Sequence, residues 1–128
     1  MVEDDDRVRE VTLKRVEALG YVAEEATSAA GARARLTVGG VDIVLSDIVM
    51  KGAMDGVDLA RWMSVNQPNV PIVLATAFPG GPGYAELRRT RSAFALLKPY
   101  SRKALAAALS RELSRARAQR SETSLAKT

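Results

Sequence analysis

The sequence predicts an α/β fold built on a parallel sheet, on three observations. Short apolar runs rich in Val and Ile alternate with longer amphipathic segments, the pattern of successive strand and helix units. The runs at 41–46 and 70–75 are nearly continuous in apolar residues, as strands covered on both faces should be. The chain has 128 residues, is 47% hydrophobic and contains no Cys, enough for one domain that holds its core without a disulfide.

Each element has its own signal. Only Met1 and Val2 precede a run of acids, too few for a full buried strand, so the first strand is clipped or the natural chain begins a few residues upstream. A helix is expected over 6–19, with Val8, Val11, Val16 and Leu19 on one stripe and Gly20 placed to end it. A weaker apolar run at 21–26 is the second strand. Ser28 is the N-cap of a helix to about Val38, closed by Gly39 and Gly40. The run at 41–46 is a strand; a helix follows over 57–66, and Pro68 forbids its continuation. After the strand at 70–75, the loop Pro79-Gly80-Gly81-Pro82-Gly83 delays a short helix over 84–90. The last strand covers 94–97, and Ser101 caps a final helix on which Leu105, Leu109 and Leu113 repeat every four residues. The folded domain is expected to span 1–117, with residues 118–128 a polar, disordered tail.

Composition excludes much chemistry. With no Cys and no His there is no thiolate nucleophile, no Ser-His-Asp triad and no conventional zinc site. Any chemistry must use carboxylates, hydroxyls or Lys. Apolar stretches are far shorter than the roughly 20 residues that span a bilayer, and Met1 is followed by acids rather than by a basic and then apolar leader. A cytoplasmic chain without membrane contact is expected. Residues 1–60 carry 7 basic and 12 acidic side chains, whereas 61–128 carry 12 and 3. Basic residues dispersed along surface helices are more often a solvated face than a nucleic-acid interface, and no recognition helix or aromatic platform accompanies Arg88, Arg89 and Arg91.

In an open parallel sheet, ligands gather at the carboxyl ends of the strands. Four groups of residues fall at such ends: Glu3 to Asp6, Asp47, Thr76 with Ala77, and Lys98. Converging carboxylates repel one another and call for a cation, and a hard oxygen-lined site suits Mg²⁺ better than a soft metal. A hydroxyl and an ammonium beside it suit phosphoryl oxygens. Asp5 and Asp6 fit better as helix-start residues serving the helix dipole. Asp47 has no such explanation, because it directly follows Ile43, Val44, Leu45 and Ser46, and an unpaired carboxylate there is costly.

Over residues 2–113 the chain resembles the receiver domain of two-component response regulators and hybrid histidine kinases. The motifs that carry the resemblance are the acidic pair Glu3-Asp4, the strand and acceptor Asp42-Ile43-Val44-Leu45-Ser46-Asp47, the turn Met50-Lys51-Gly52-Ala53-Met54-Asp55-Gly56, the strand end Ala75-Thr76-Ala77, and Lys98-Pro99-Tyr100. The resemblance implies a doubly wound, flavodoxin-like (βα)5 fold with strand order 2-1-3-4-5. It implies a phospho-accepting signalling domain rather than an enzyme, with Asp47 the phosphoacceptor and a partner's phosphohistidine the donor. Mg²⁺ would be held by the Asp4 and Asp47 carboxylates and the Val49 backbone carbonyl, with Glu3 acting through water. Thr76 and Lys98 would bind the phosphoryl oxygens, and a cis Lys98-Pro99 peptide would aim the Lys inward. The implied partner is a histidine kinase or a histidine phosphotransfer protein.

The chain departs from the family in three places. Lys51 stands where the turn usually carries Pro, the switch aromatic is replaced by Ala95 with Phe94 one place earlier, and the first strand is short. Val49 and Phe78, two residues beyond Asp47 and Thr76, are both apolar, which implies slow hydrolysis of an aspartyl phosphate. The face formed by the fourth helix, the fifth strand and the last helix would carry Arg88, Arg89, Arg91, Arg102, Lys103 and Arg111 and would favour an acidic partner. Two alternatives remain beside a free-standing receiver: the receiver fragment of a hybrid sensor histidine kinase, and a degenerate receiver acting only as a protein-interaction module.

Overall fold

A computed structural model describes residues 1–77 and 93–126 of the chain. Its elements are α1 (Asp6–Ala18), α2 (Ala29–Val38), β1 (Val44–Asp47), α3 (Gly56–Asn66), β2 (Ile72–Thr76), β3 (Ala93–Leu97) and α4 (Arg102–Ala126). The expected loop at 79–83 and helix at 84–90 lie outside the described residues, as do Phe78, Arg88, Arg89 and Arg91.

The sheet is parallel, in the order β1-β2-β3. Val44 is opposite Ile72 and Asp47 opposite Ala75, while Thr76 is opposite Leu97. On the other side of β1 the sheet thins to single bridges, with Val2 pairing Ser46 on one flank and Ala26 on the other. The segment order is therefore 21–26, Val2, β1, β2, β3, which is the 2-1-3-4-5 winding. Two of the five strand positions are bridges rather than strands. Val2 offers one ladder position, and Ala26 is the residue of 21–26 that pairs with it.

Alternation along the strands explains why helices cover both faces. Val44, Ile72 and Leu74 point into a core with Ala32 and Leu36 of α2 and Leu59, Ala60 and Met63 of α3. Leu45, Val73 and Leu96 point the opposite way, against Val16 of α1 and Leu105, Ala108 and Leu109 of α4. A one-residue slip would exchange these two sets, so the continuous apolar runs are what two covered faces require.

Helix ends follow their caps. Asp5 accepts from the Val8 N–H at 3.0 Å and Ser28 from the Gly31 N–H at 3.0 Å. At α3, Asp55 and Asp58 form a reciprocal capping box. Ser101 Oγ accepts from the Ala104 N–H at 3.0 Å to start α4.

The last helix runs past its expected end near Arg117 and reaches Ala126, so residues 118–126 are helical rather than a disordered tail. No Gly or Pro follows Pro99, the Ala and Arg residues of this stretch are strong helix formers, and buried Ala116 still packs on the domain. Arg115 pairs with buried Glu112 at 2.6 Å one turn earlier. Among the described residues no helix is long and apolar enough to cross a membrane.

A cavity of about 460 Å³ lies beside Met1 and Val2, lined among others by Val16, Tyr21, Leu36, Ile43, Leu45 and Leu109. The Met1 ammonium donates to the Glu24 carbonyl at 2.9 Å at its rim.

Candidate functional site

Because β1, β2 and β3 are parallel, their carboxyl ends share one edge, and the strand-end residues meet there. Asp47 closes β1, Thr76 closes β2, Lys98 follows β3, and Glu3 and Asp4 follow the Val2 bridge. The Val2 N–H donates to the Leu45 carbonyl at 2.7 Å and the Asp47 N–H to the Val2 carbonyl at 3.2 Å, which sets the acids of both segments side by side.

The central contact is an ion pair, Lys98 Nζ to Asp47 Oδ1 at 2.6 Å. Lys98 is held by its own N–H, which donates to the Thr76 carbonyl at 2.8 Å, and the Lys98-Pro99 peptide is cis. Burial works against its charge, but the hydrogen bond and charge of Asp47, with the charge of Glu3, outweigh it and raise the Lys98 pKa. Glu3 is buried at 5% exposure. Burial raises its pKa first, and a hydrogen bond to Asp47 and the charges of Asp47 and Asp4 add to this against the pull of Lys98, so that the group lies at about 7 rather than 4.5. One ammonium thus faces two carboxylates, Asp47 and Glu3.

Asp4 stands at the outer side of the cluster, where its Oδ2 accepts the Lys51 N–H at 2.8 Å. Thr76 is buried beside the pair, and the Val49 side chain faces solvent at 67% exposure. Asp5 and Asp6 are helix-start residues, one the N-cap of α1 and the other paired with Arg9 at 2.6 Å. Among the described residues no three acidic side chains form a cation cage by themselves.

Two contributors were not legible as site residues. Arg9, near-buried at 13% side-chain exposure, donates to the Glu3 carbonyl at 3.1 Å and so fixes the acidic segment against α1. Gly56 starts α3 against β1: a Cβ there would run into the Asp47 carbonyl oxygen and come within 2.9 Å of Ile48 Cα. Arg9 gave no signal among the other basic residues of α1, whereas Gly56 lay within a recognised turn without its packing reason.

Fold and site together define a doubly wound α/β domain with an acidic cluster and an opposed lysine at the carboxyl edge of its sheet. Residues 1–110 match the model of the response regulator receiver domain. The response regulator receiver protein CpdR of Brucella abortus is 32% identical over 100 residues, covering 78% of this chain and 82% of that protein. Sensor kinase CckA of the same organism is 36% identical over 114 residues, covering 83% of this chain, which spans only 11% of the kinase. Among solved structures, the receiver domain of NtrX from Brucella abortus superposes with a TM-score of 0.80 at 21% identity, covering 88% of this chain and 95% of that one. The signal receiver domain of a signal transduction histidine kinase from Syntrophus aciditrophicus gives 0.78 at 26% identity, covering 88% and 86%. The chain belongs to the response regulator receiver domain family of two-component signalling.

Proposed function

We propose that Asp47 accepts a phosphoryl group from a phosphohistidine of a histidine kinase or histidine phosphotransfer protein, and that the chain acts as a signalling domain without an enzymatic activity of its own. The observation that carries this is the Asp47–Lys98 pair at 2.6 Å, set at the sheet edge beside buried Glu3. An Asp47 carboxylate oxygen attacks phosphorus, the P–N bond to the donor imidazole breaks, and the imidazole leaves with a proton to become neutral. Lys98, released from Asp47, follows the charge onto the phosphoryl oxygens, and Thr76 supplies a hydroxyl donor to them.

A divalent cation fits the donor set. Buried Glu3, Asp47 and Asp4 come from adjoining segments at one sheet edge, and the ion pair there is that of Lys98 with Asp47. Asp4, Asp47 and the Val49 carbonyl would hold Mg²⁺, with Glu3 reaching it through water; an incomplete protein cage suits an ion that keeps several waters. The ion would supply charge neutralisation on the transferring group. A cytoplasmic location goes with this role, and the likeness to a segment of CckA supports either a free-standing receiver or part of a hybrid kinase.

Incubation with acetyl phosphate and Mg²⁺ should add one phosphoryl group to the wild-type chain and none to Asp47→Asn, which keeps the shape but loses the nucleophilic charge. An unmodified wild-type mass would favour an interaction module instead, and a modified Asp47→Asn would remove Asp47 as acceptor.

A further inference from the structure

The loop between β1 and α3 is fastened at both ends. The Ile48 N–H donates to the Ala75 carbonyl at 3.0 Å, and the Gly56 N–H returns to the Ile48 carbonyl at 2.9 Å. Between them, among the described residues, the stretch 49–54 makes a single hydrogen bond to the rest of the protein, from the Lys51 N–H to Asp4 Oδ2 at 2.8 Å, across 47 positions of sequence. Gly52, at φ +109°, turns the chain immediately after it. The Lys51 side chain is exposed and takes no part in this bond. A main-chain donor to a carboxylate is charge-assisted and directional, so it fixes which oxygen of Asp4 is engaged.

We propose that the Lys51 N–H is a positioning group for the cation site: it holds Asp4 Oδ2, leaves Oδ1 as the oxygen available to a divalent cation, and ties the Asp4 segment to the loop that bears the Val49 carbonyl. This rests on the reading of Asp4 as a cation ligand. The two halves of the site, one after Val2 and one after β1, are joined by this bond, so a change in the loop is transmitted to Asp4 and a change at Asp4 loosens the loop.

Amide hydrogen exchange and Mg²⁺ titration of the full chain test it. In the metal-free protein the Lys51 amide should exchange about tenfold more slowly than in Asp4→Ala, because the carboxylate is its acceptor. Equal exchange in the two proteins would overturn the proposal whatever the variants do to folding. By calorimetry, Lys51→Pro, which removes the N–H, should bind Mg²⁺ roughly tenfold more weakly, the range expected for a solvent-accessible bond to a charged group. Lys51→Ala keeps the N–H and should bind at least as tightly as wild type, since a nearby positive charge is gone. Loss of affinity in Lys51→Ala equal to that in Lys51→Pro would assign the effect to the ammonium and overturn the proposal. Failure of the wild-type chain to bind Mg²⁺ would overturn it together with the cation site, whereas wild-type binding that Asp4→Ala weakens and Lys51→Pro leaves intact would overturn the positioning role alone.

Discussion

Glu3 is the buried acid of the site. Its carboxyl is raised from 4.5 to about 7 by burial, then by Asp47 and Asp4. The folded protein therefore holds this proton more tightly than the unfolded chain does. Glu3 favours folding when it is neutral, and that advantage fades as pH rises between about 4.5 and 7. A divalent cation reverses the preference by favouring the ionised form. Stability of the metal-free domain should fall across this window, less so in Glu3→Gln, and less so with saturating Mg²⁺. Denaturation midpoints at several pH values check it, and a wild-type slope identical to that of Glu3→Gln would remove Glu3 as its source. Gly56 makes a steric prediction at the same scale. Gly56→Ala places a methyl against the Asp47 carbonyl and near Leu74, all buried backbone and core with nowhere to yield. A loss of about 2 kcal/mol or more is expected, with slower phosphorylation as Asp47 shifts; a variant with wild-type stability would show that α3 moves freely at this end.

At the scale of elements, the legible parts were those whose physics is local. The caps at Ser28 and Ser101, the stripe Leu105, Leu109 and Leu113, and the two-face apolar runs all appear where their sequence signals place them. The Asp47–Lys98 pair was legible because both residues sit at strand ends, and a parallel sheet brings strand ends together. The end of α4 was not, since polar composition says little about a helix when no Gly or Pro interrupts it. Nor was the Lys51 tie, because a main-chain donor leaves no mark in side-chain chemistry. The short first strand was legible in Met1-Val2, but its consequence for packing was not. Among the described residues, no backbone hydrogen bond engages Tyr21, Val22 and Ala23 or Val41, Asp42 and Ile43, and the slot between them has an apolar floor of Val16, Leu36, Leu45 and Leu109 with charged residues among its lining. Burial also pulls the Met1 ammonium below its usual 8.0, although Glu24 and Glu25 act to raise it. Adding about four β-branched residues ahead of Met1 should fill the slot, pair both open edges and remove the buried charge. At ~1.5–3 kcal/mol for each apolar side chain fully buried, a gain of at least ~2 kcal/mol in unfolding free energy is expected. An extension that leaves the denaturant midpoint unchanged would mean that 21–23 and 41–43 do not accept a strand between them.

Across the whole molecule, charge is divided by sequence half and by place in the fold. The acids of residues 1–60 include the cluster at the sheet edge, while α4 brings exposed Arg102, Lys103 and Arg111 to the surface after β3. Arg102 is partly committed within the domain, donating to the Ala18 carbonyl at 3.3 Å and so meeting the carboxyl end of α1. Under the proposed function, a partner delivering a phosphoryl group brings negative charge toward an acidic site, so attraction from a neighbouring basic surface favours encounter where the site itself does not. Exposed charges act mainly on association rate and are screened over about 8 Å at physiological salt. Affinity for a phosphodonor partner should therefore fall as salt rises, with most of the loss in the association rate. Lys103→Glu combined with Arg111→Glu should slow association at low salt by roughly tenfold, with dissociation little changed. Stopped-flow association measured between roughly 50 and 300 mM salt decides it: rates that do not respond to salt or to the double substitution would show that these cations are solvated helix faces with no part in docking.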